Sequence, residues 1–305
     1  MRVANNVTEL IGNTPLLKIN KFSQNANIFA KVEYLNPSHS IKDRAAFMII
    51  KDALDRGLID TNSEIFEPTS GNMGVALAMV CAVFGLKLTL TMPSSMSIER
   101  QQLLKAFGAN LVLTEPSLGM QGAVDKAEEL AKNSPNSFMP KQFENPLNPL
   151  AHEKTTAVEI WNALDGKVDI VVAGFGTGGT ISGIAKSLKL KNKKIKIVAV
   201  EPLSSPLLTQ GRAGSHKIQG IGANFVPLNL KRELIDEVID VSNEDAIHAA
   251  IKLAKEEGVL AGISSGANVF AAALLANKDE NRGKNIVTVL PDTGERYLST
   301  KIFDE

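Results

Sequence analysis

The feature that most constrains the fold of this chain is a repeated alternation of short apolar strands with helices of ten or so residues. Between residues 64 and 131, the predicted strands and helices are, in order, Glu64–Pro68, Met73–Phe84, Leu86–Pro93, Ser97–Phe107, Asn110–Thr114 and Gln121–Ala131. Strands separated by helices of this length are typical of βαβ units around a parallel sheet. The sequence therefore predicts an α/β protein with mostly parallel sheets.

The alternation is interrupted once and then resumes. Asn133–Pro149 is rich in Asn, Pro and Ser and indicates a domain boundary, and Pro202–Pro227 is predicted to be rich in loops. The predicted helices and strands of the second half are Thr155–Leu164, Val168–Ala173, Ile181–Leu188, Ile195–Val200, Asn243–Glu257, Asn268–Ala276 and Asn285–Leu290. Two α/β halves follow from this organisation.

The composition excludes several classes of function. The 305 residues include 33 basic and 33 acidic residues, so the net charge is zero, which argues against a nucleic-acid or anionic-membrane partner. No apolar run reaches the ~20 residues that span a bilayer, and the N-terminus lacks the apolar core of a signal peptide. With four histidines and the single cysteine Cys81, no pair shows metal-ligand spacing, and we expect no metal and a cytoplasmic location.

The first candidate functional residue is Lys42, in the stretch Asn36–Arg44. An Asn-Pro turn precedes it, and the apolar run Ala45–Ile50 follows, so Lys42 is predicted to lie in the first turn of a helix. The positive end of the helix dipole disfavours an ammonium group there, and a neutral amine is a nucleophile for carbonyls. A solvated surface lysine is the alternative interpretation.

A glycine-rich loop, Gly174–Thr180, follows an apolar strand and begins a helix. Backbone N–H groups and the helix dipole favour an anion in such a loop, and Thr177 and Thr180 add hydroxyl donors. The same loop contains the dinucleotide-binding pattern G-x-G-x-x-G, and Glu201 stands about twenty residues further on, where that pattern places its ribose-binding acid. An NAD-dependent dehydrogenase is therefore an alternative, although the threonines and the mid-chain position favour a phosphate monoester.

Two more polar loops precede apolar helices. Thr69–Gly74 offers three polar side chains at a predicted helix N-terminus, and Gly262–Asn268 offers two serines. A lysine for a carbonyl, a phosphate loop, an amide beside a ring and a hydroxyl for a ring nitrogen are together the groups that hold pyridoxal phosphate.

Several motifs in order give the sequence a family resemblance. It resembles the cysteine synthase (O-acetylserine sulfhydrylase)/cystathionine β-synthase family, pyridoxal 5'-phosphate enzymes of fold type II, tryptophan synthase β-like. The motifs that carry the resemblance are Ile11–Leu16, Asn36–Arg44, Glu67–Asn72, Gln142–Phe143, His152–Thr156, Gly174–Thr180, His216–Gly222, Gly262–Ala267 and Gly294–Thr300.

The resemblance implies a role for each candidate residue. Lys42 would hold the cofactor as a Schiff base and act as the general base in a β-replacement that passes through an α-aminoacrylate. The cofactor-binding residues would be Lys42, Asn72, Gly176, Thr177, Gly178, Gly179, Thr180 and Ser264. The substrate-binding residues would be Thr69, Ser70, Asn72, Met73, Gln142, Gly222 and Asn224.

The resemblance also implies an architecture and partners. A smaller, mobile domain would comprise residues 1–12 and 36–149, and a larger, phosphate-binding domain residues 13–35 and 150–305. Both would be three-layer αβα domains. A homodimer is implied, and serine acetyltransferase is a possible partner.

Two positions depart from the cysteine synthase pattern. Met73 stands where cysteine synthases commonly have Thr, and the resulting Asn-Met-Gly resembles β-cyanoalanine synthases. Asn224 stands where they usually have Gly. The substrate pair therefore stays open between O-acetylserine with sulfide and a reaction that consumes L-cysteine and releases sulfide; neutral drift is the alternative explanation of both positions.

Overall fold

The structure, a computed structural model, describes residues 3–300 and 302–303. By their contacts, these residues form two compact units. The first comprises the residues up to Ile11 together with Lys42–Leu147, and the second comprises Gly12–Ile41 and the residues from Asn148 onward.

The strands and helices alternate along most of the described chain. The strands are β1 (Leu16–Ile19), β2 (Asn27–Val32), β3 (Glu64–Pro68), β4 (Lys87–Pro93), β5 (Asn110–Thr114), β6 (Ser137–Phe138), β7 (Ile170–Gly174), β8 (Lys196–Pro202), β9 (Glu237–Val241) and β10 (Asn285–Leu290). The α-helices are α1 (Lys42–Asp55), α2 (Asn72–Phe84), α3 (Ile98–Ala106), α4 (Gly119–Asn133), α5 (Leu147–Lys154), α6 (Thr156–Ala163), α7 (Gly179–Lys191), α8 (Leu207–Gln210), α9 (Asn243–Glu257) and α10 (Ile263–Ala276).

The first unit is built on a parallel sheet in the order β5-β4-β3-β6. Helix α2 packs in its core, because nearly every residue from Met73 to Cys81 is apolar and buried. The helix ends at Gly85, which adopts the left-handed conformation that glycine reaches without strain. Since parallel strands place their carboxyl ends at one edge, the loops after β3 and β6 lie side by side.

The second unit is built on a six-stranded sheet in the order β1-β2-β10-β7-β8-β9. Strand β1 is antiparallel to β2, and all the other pairs are parallel. The two N-terminal strands thus complete a sheet whose remaining strands come from the C-terminal half. The carboxyl ends of β7, β8 and β10 share the edge at which the glycine-rich loop begins.

The α/β class with mostly parallel sheets is confirmed. Three details of the sequence prediction are wrong. Helix α10 begins at Ile263, not at Asn268; its Gly266 is required because a Cβ there would lie 2.0 Å from the Ala246 carbonyl oxygen of α9. Helix α5 starts inside the segment that the sequence predicts to be a loop, and β9 is not predicted because it is a half-buried edge strand with acidic residues among its apolar ones.

The boundary between the units also differs from the predicted domain boundary. Residues 36–41, assigned from the sequence to the first domain, belong to the second unit. The backbone explains this assignment, because the Ile41 N–H donates to the Pro291 carbonyl at 2.8 Å and the Thr293 N–H donates to the His39 carbonyl at 3.3 Å. The chain therefore leaves the second unit after Ile41, and Lys42 is the residue at which it returns to the first unit.

Within the described residues, no helix is long and apolar enough to cross a membrane. The same residues contain no cluster of three or more His, Cys, Asp or Glu side chains with the geometry of a metal site.

Candidate active site

The glycine-rich loop is a strand–loop–helix junction, as predicted. Strand β7 ends at Gly174 and α7 begins at Gly179, and Gly178 caps the helix in the left-handed conformation with φ +78°. Gly178 has no side chain to cap this N-terminus, so the first N–H groups of α7 are available as donors for an anion, except that of Gly179, which bonds to Thr177.

Asn148 of α5 supports this loop. Its Nδ2 donates to Thr177 Oγ1 at 3.0 Å, and the Gly179 N–H donates to the same oxygen at 3.4 Å. With both lone pairs of that oxygen accepting, the Thr177 O–H is left as a donor that can reach an anion. A Cβ on Gly179 would lie 2.0 Å from Asn148 Oδ1, so the approach requires glycine.

His152, also on α5, fixes a second threonine of the loop. Its Nε2 lies 3.3 Å from Thr180 Oγ1, and its Nδ1 lies 2.9 Å from Thr156 Oγ1. The ring is buried, so it holds the Thr180 hydroxyl in one place. The sequence pattern does not predict this role of His152, because it does not reveal that α5 begins within the predicted loop and packs on α7.

Helix α10 brings Ser264 to the same edge of the second unit. One turn further along, Asn268 joins two strands, because its Oδ1 accepts from the Gly174 N–H at 2.7 Å and its Nδ2 donates to the Val289 carbonyl at 2.8 Å. Ser264 is 2% exposed, and a Cβ on Gly220 would lie 3.4 Å from its hydroxyl oxygen. Asn268 was not predicted as part of the site.

The segment around Gly220 lies between the glycine-rich loop and Ser264. A Cβ on Gly176 would stand 2.5 Å from the Gly220 carbonyl oxygen, and the Gly222 N–H donates to the Phe175 carbonyl at 3.0 Å. The second unit therefore brings together the predicted residues Gly176–Thr180, Gly222 and Ser264. An uncapped helix N-terminus, a threonine O–H donor and a buried serine hydroxyl fit the phosphate and the ring nitrogen of pyridoxal phosphate.

The predicted carboxylate-binding loop lies at the corresponding edge of the first unit. The Gly71 N–H donates to Thr69 Oγ1 at 3.3 Å, and Asn72 starts α2, whose N-terminus has no side-chain cap. A Cβ on Gly74 would lie 3.2 Å from the side chains of both Leu90 and Thr69, so the backbone packs tightly against them. The uncapped N-terminus of α2 therefore offers N–H donors that favour an anion.

Gln142 reaches this edge from the end of β6, and Glu67 connects it to β3. The Glu67 carboxylate accepts from the Lys141 N–H at 3.0 Å and from the Gln142 N–H at 3.3 Å. The structure therefore places Thr69, Ser70, Asn72 and Gln142 in one unit, beside a buried glutamate that sequence reasoning missed. The sequence signal for this glutamate is that Glu67 is an acidic residue near the end of a strand, among apolar residues.

Burial raises the pKa of the Glu67 carboxyl from 4.5 to about 7, although the N–H groups of Gln142 and Lys141 oppose the shift. Between these two pH values the folded protein keeps the proton and the unfolded chain has released it, so the free energy of unfolding falls as the pH rises. Glu67→Gln removes the titration. We expect the stability of the variant relative to the wild type to increase by roughly 2–3 kcal/mol from pH 5 to pH 8, measured by chemical denaturation.

High salt is the control for this measurement. Salt screens exposed charge pairs but not a desolvation effect, so the same change is expected at about 1 M salt. If the stability difference between Glu67→Gln and the wild type were equal at pH 5 and pH 8, burial would not be what raises the pKa of Glu67.

The structure places Met73 and Asn224 differently. The Met73 side chain is 1% exposed and packs in the core of the first unit. Asn224 is exposed, has φ +64°, and accepts a hydrogen bond from Ser205 Oγ at 2.8 Å. Asn is among the residues that tolerate this left-handed conformation best after glycine, so the backbone at position 224 accepts it without strong strain.

Lys42 is the first residue of α1, as the sequence predicted, and its side chain is half-buried. It belongs to the first unit together with Thr69–Met73 and Gln142, whereas Gly176–Thr180, Gly222, Asn224 and Ser264 belong to the second. Each unit thus carries one part of the predicted set.

The alternative of an NAD-dependent dehydrogenase is wrong, because the Glu201 carboxylate already binds other groups of the protein. Its buried carboxylate accepts from the Leu208 and Thr209 N–H groups, both at 2.9 Å, and from the Thr209 hydroxyl at 2.9 Å. It caps the short helix α8 and is not available to a ribose.

The second unit is a parallel α/β unit with a phosphate-type loop and a buried serine, and the first unit starts a helix with a lysine. These features are those of the pyridoxal-phosphate enzymes of fold type II. The chain belongs to the family described as "Pyridoxal-phosphate dependent enzyme", which matches residues 7–292. It is therefore an enzyme whose cofactor is pyridoxal 5'-phosphate.

Particular relatives are similar over almost the whole chain. Cysteine synthase B of Campylobacter jejuni is 61% identical over 303 residues, which cover 99% of this chain and 100% of the relative. The crystal structure of cysteine synthase from Entamoeba histolytica has a TM-score of 0.97 at 45% identity and covers 100% of this chain and 92% of that one. A hydrogen sulfide-producing enzyme of Fusobacterium nucleatum has a TM-score of 0.91 at 47% identity, covering 97% and 100%.

Proposed function

We propose that the chain is a β-replacement enzyme of the cysteine synthase type, which converts O-acetyl-L-serine and sulfide to L-cysteine and acetate. The carbon–oxygen bond to acetate breaks and a carbon–sulfur bond forms at the same β-carbon. The observation that carries this proposal is the 61% identity to Campylobacter jejuni cysteine synthase B over the full length of that protein.

Each residue has a proposed part in this reaction. When bound, pyridoxal phosphate supplies the electron sink that makes the α-proton of the substrate acidic. Lys42 holds the cofactor and takes the α-proton as general base. Thr69, Ser70, Asn72 and Gln142 bind the α-carboxylate, and closing of the Thr69–Gly74 loop excludes water.

The second unit supplies the remaining cofactor contacts. The N–H groups and hydroxyls of Gly176–Thr180 bind the phosphate, and Ser264 faces the pyridine nitrogen. A serine hydroxyl stabilises a pyridinium less than a carboxylate would, so the ring is a moderate electron sink that favours loss of the β-substituent over transamination. From the first unit, Asn72 adds a hydrogen bond to the hydroxyl oxygen of the cofactor ring. Gly222 and Asn224 of the second unit line the substrate entrance.

A second candidate reaction consumes L-cysteine and releases sulfide, giving β-cyanoalanine, lanthionine or a similar product. The similarity to the hydrogen sulfide-producing enzyme of Fusobacterium nucleatum supports it. The Asn-Met-Gly sequence at Met73 is weaker support, since that side chain packs in a core.

One pair of assays separates the two reactions. We expect purified holoenzyme to form L-cysteine from O-acetyl-L-serine and sulfide, with kcat/KM at least about 100-fold above that for sulfide release from L-cysteine, a difference of about 2.7 kcal/mol in transition-state stabilisation. Sulfide release with the larger kcat/KM would favour the second reaction. The absence of both activities would contradict the proposed function.

The resemblance also supports a homodimer, a mobile first unit and a cytoplasmic location, and serine acetyltransferase is the proposed macromolecular partner. Light scattering of the pure protein measures the first of these, and co-elution with serine acetyltransferase tests the last.

A further inference from the structure

Glu67 is a buried acid that contacts the predicted carboxylate-binding set and has no part in the proposed reaction. It lies on β3, two residues before Thr69, and its side chain is 2% exposed. Its carboxylate accepts from two successive backbone N–H groups, those of Lys141 at 3.0 Å and Gln142 at 3.3 Å. Successive N–H groups that converge on one anion form a nest, a geometry that fixes the backbone around it.

The turn that donates these bonds has an unfavourable conformation. Lys141 has φ +50°, in the left-handed region that residues with a side chain rarely adopt. The turn closes on the Lys141 carbonyl, which accepts from the Glu144 and Asn145 N–H groups at 2.9 Å. A buried acceptor for the Lys141 and Gln142 N–H groups is what stabilises this turn against relaxing to an extended conformation.

The Gln142 side chain also bonds to Glu67. A carboxylate only accepts hydrogen bonds at pH 8, so it binds the NH₂ end of the Gln142 amide and not its oxygen. With the amide oriented in this way, its second N–H has a defined direction. If the Gln142 amide could rotate freely, its oxygen would face the substrate carboxylate as often as its NH₂ group. The amide oxygen would then repel the carboxylate oxygens.

We propose that Glu67 is a positioning residue for the substrate α-carboxylate, which acts by fixing the Lys141–Gln142 backbone and by orienting the Gln142 amide as a donor. This role rests on the proposed function, in which Gln142 binds that carboxylate. Glu67 itself does not touch the substrate.

Steady-state kinetics of Glu67→Gln at pH 8 test the proposal. The substituted amide keeps the size of the side chain, but its NH₂ faces backbone N–H donors, so the preference for one Gln142 orientation is lost. We expect the KM for O-acetyl-L-serine to rise about tenfold, with kcat per bound cofactor changed by less than about twofold. A merely structural role would lower the active fraction, and so kcat, at unchanged KM; that result would overturn the proposal.

Glu64→Gln is the matched control, on the same strand. Its carboxylate accepts from Thr89 Oγ1 at 2.6 Å, at the opposite end of β3 from the Thr69 loop. We expect its KM and kcat to equal those of the wild type. An equal rise of KM in both variants would overturn the proposal, because the effect would then belong to the strand and not to Glu67.

A double-mutant cycle tests whether Glu67 acts through Gln142. In a Gln142→Ala background, Glu67→Gln is expected to change KM by less than about twofold, whereas independent residues would again give about tenfold. The independent result would overturn the proposal.

A binding measurement separates this role from the proposed reaction. L-alanine has the same α-amino and α-carboxylate groups but no leaving group, and its Kd is measured from the absorbance of the bound cofactor. We expect about tenfold weaker binding to Glu67→Gln holoenzyme than to the wild type, and an equal Kd would overturn the role of Glu67. If the wild type formed no L-cysteine, only the proposed reaction would fail, and this titration would still test Glu67.

Discussion

Lys42→Ala is expected to lower kcat for β-replacement by at least about 10³-fold, the largest effect of any single substitution in this chain. The residue begins α1, where the helix dipole disfavours an ammonium group, and the proposal makes it both the covalent anchor of the cofactor and the base that takes the α-proton. Borohydride reduction followed by mass spectrometry provides a second measurement. The wild type should gain the mass of the cofactor, and the variant should not.

Lys51→Ala, on the same helix, is the matched control for Lys42→Ala. Lys51 is exposed and pairs with Asp55 one turn further on, so its loss is expected to change stability by less than about 0.5 kcal/mol and to leave kcat unchanged. Cofactor that stays covalently attached in Lys42→Ala would contradict the assignment of the anchor. Residual activity within tenfold of the wild type would contradict the assignment of the base.

Gly178→Ala is expected to weaken cofactor binding by at least about 100-fold, measured by fluorescence titration of the apoenzyme with pyridoxal phosphate. Gly178 caps α7 with φ +78°, and a Cβ there would lie 2.8 Å from the backbone of Leu230. Relief of that overlap requires the loop to shift, and the N–H groups that we propose to bind the phosphate shift with it. An interaction that depends on several converging donors is sensitive to such a displacement.

Gly211→Ala separates the overlap from the backbone strain. Gly211 also has a positive φ, +66°, but a Cβ there has no neighbour within 4 Å. We expect this variant to lose about 1 kcal/mol of stability and to bind the cofactor like the wild type. If the two variants bound the cofactor equally well, the close packing of the glycine-rich loop would not be needed for binding.

The local parts of the fold and site were predictable from the sequence. The loop at residues 174–180 follows an apolar run and precedes a helix, and the structure confirms this context. The helix start at Lys42 is likewise confirmed. In both cases the signal is a short pattern whose physical cause, a turn or a helix N-terminus, lies within a few residues of the pattern itself.

The supporting residues were not predictable in this way, because their partners are distant in sequence. Asn268 contacts Gly174 across 94 residues, and Glu67 contacts Gln142 across 75. Asn148 is not predicted, because the sequence predicts a loop where α5 begins. A buried polar side chain gives no signal about its partner until the fold brings the two together, and the roles of the site residues stay predictions that the variants above test.

The position of β2 in the second unit has a consequence for folding during synthesis on the ribosome. Strand β2 lies between β1 and β10, and Asn27 and Asn285, which pair across β2 and β10, are 258 residues apart in sequence. The second unit therefore cannot close its sheet until nearly all of the chain has been synthesised, whereas Lys42–Leu147 is complete much earlier. Asn268 joins the Gly174 N–H to the Val289 carbonyl of β10, so these contacts of the glycine-rich loop, which we propose to bind the phosphate, form among the last in the nascent chain.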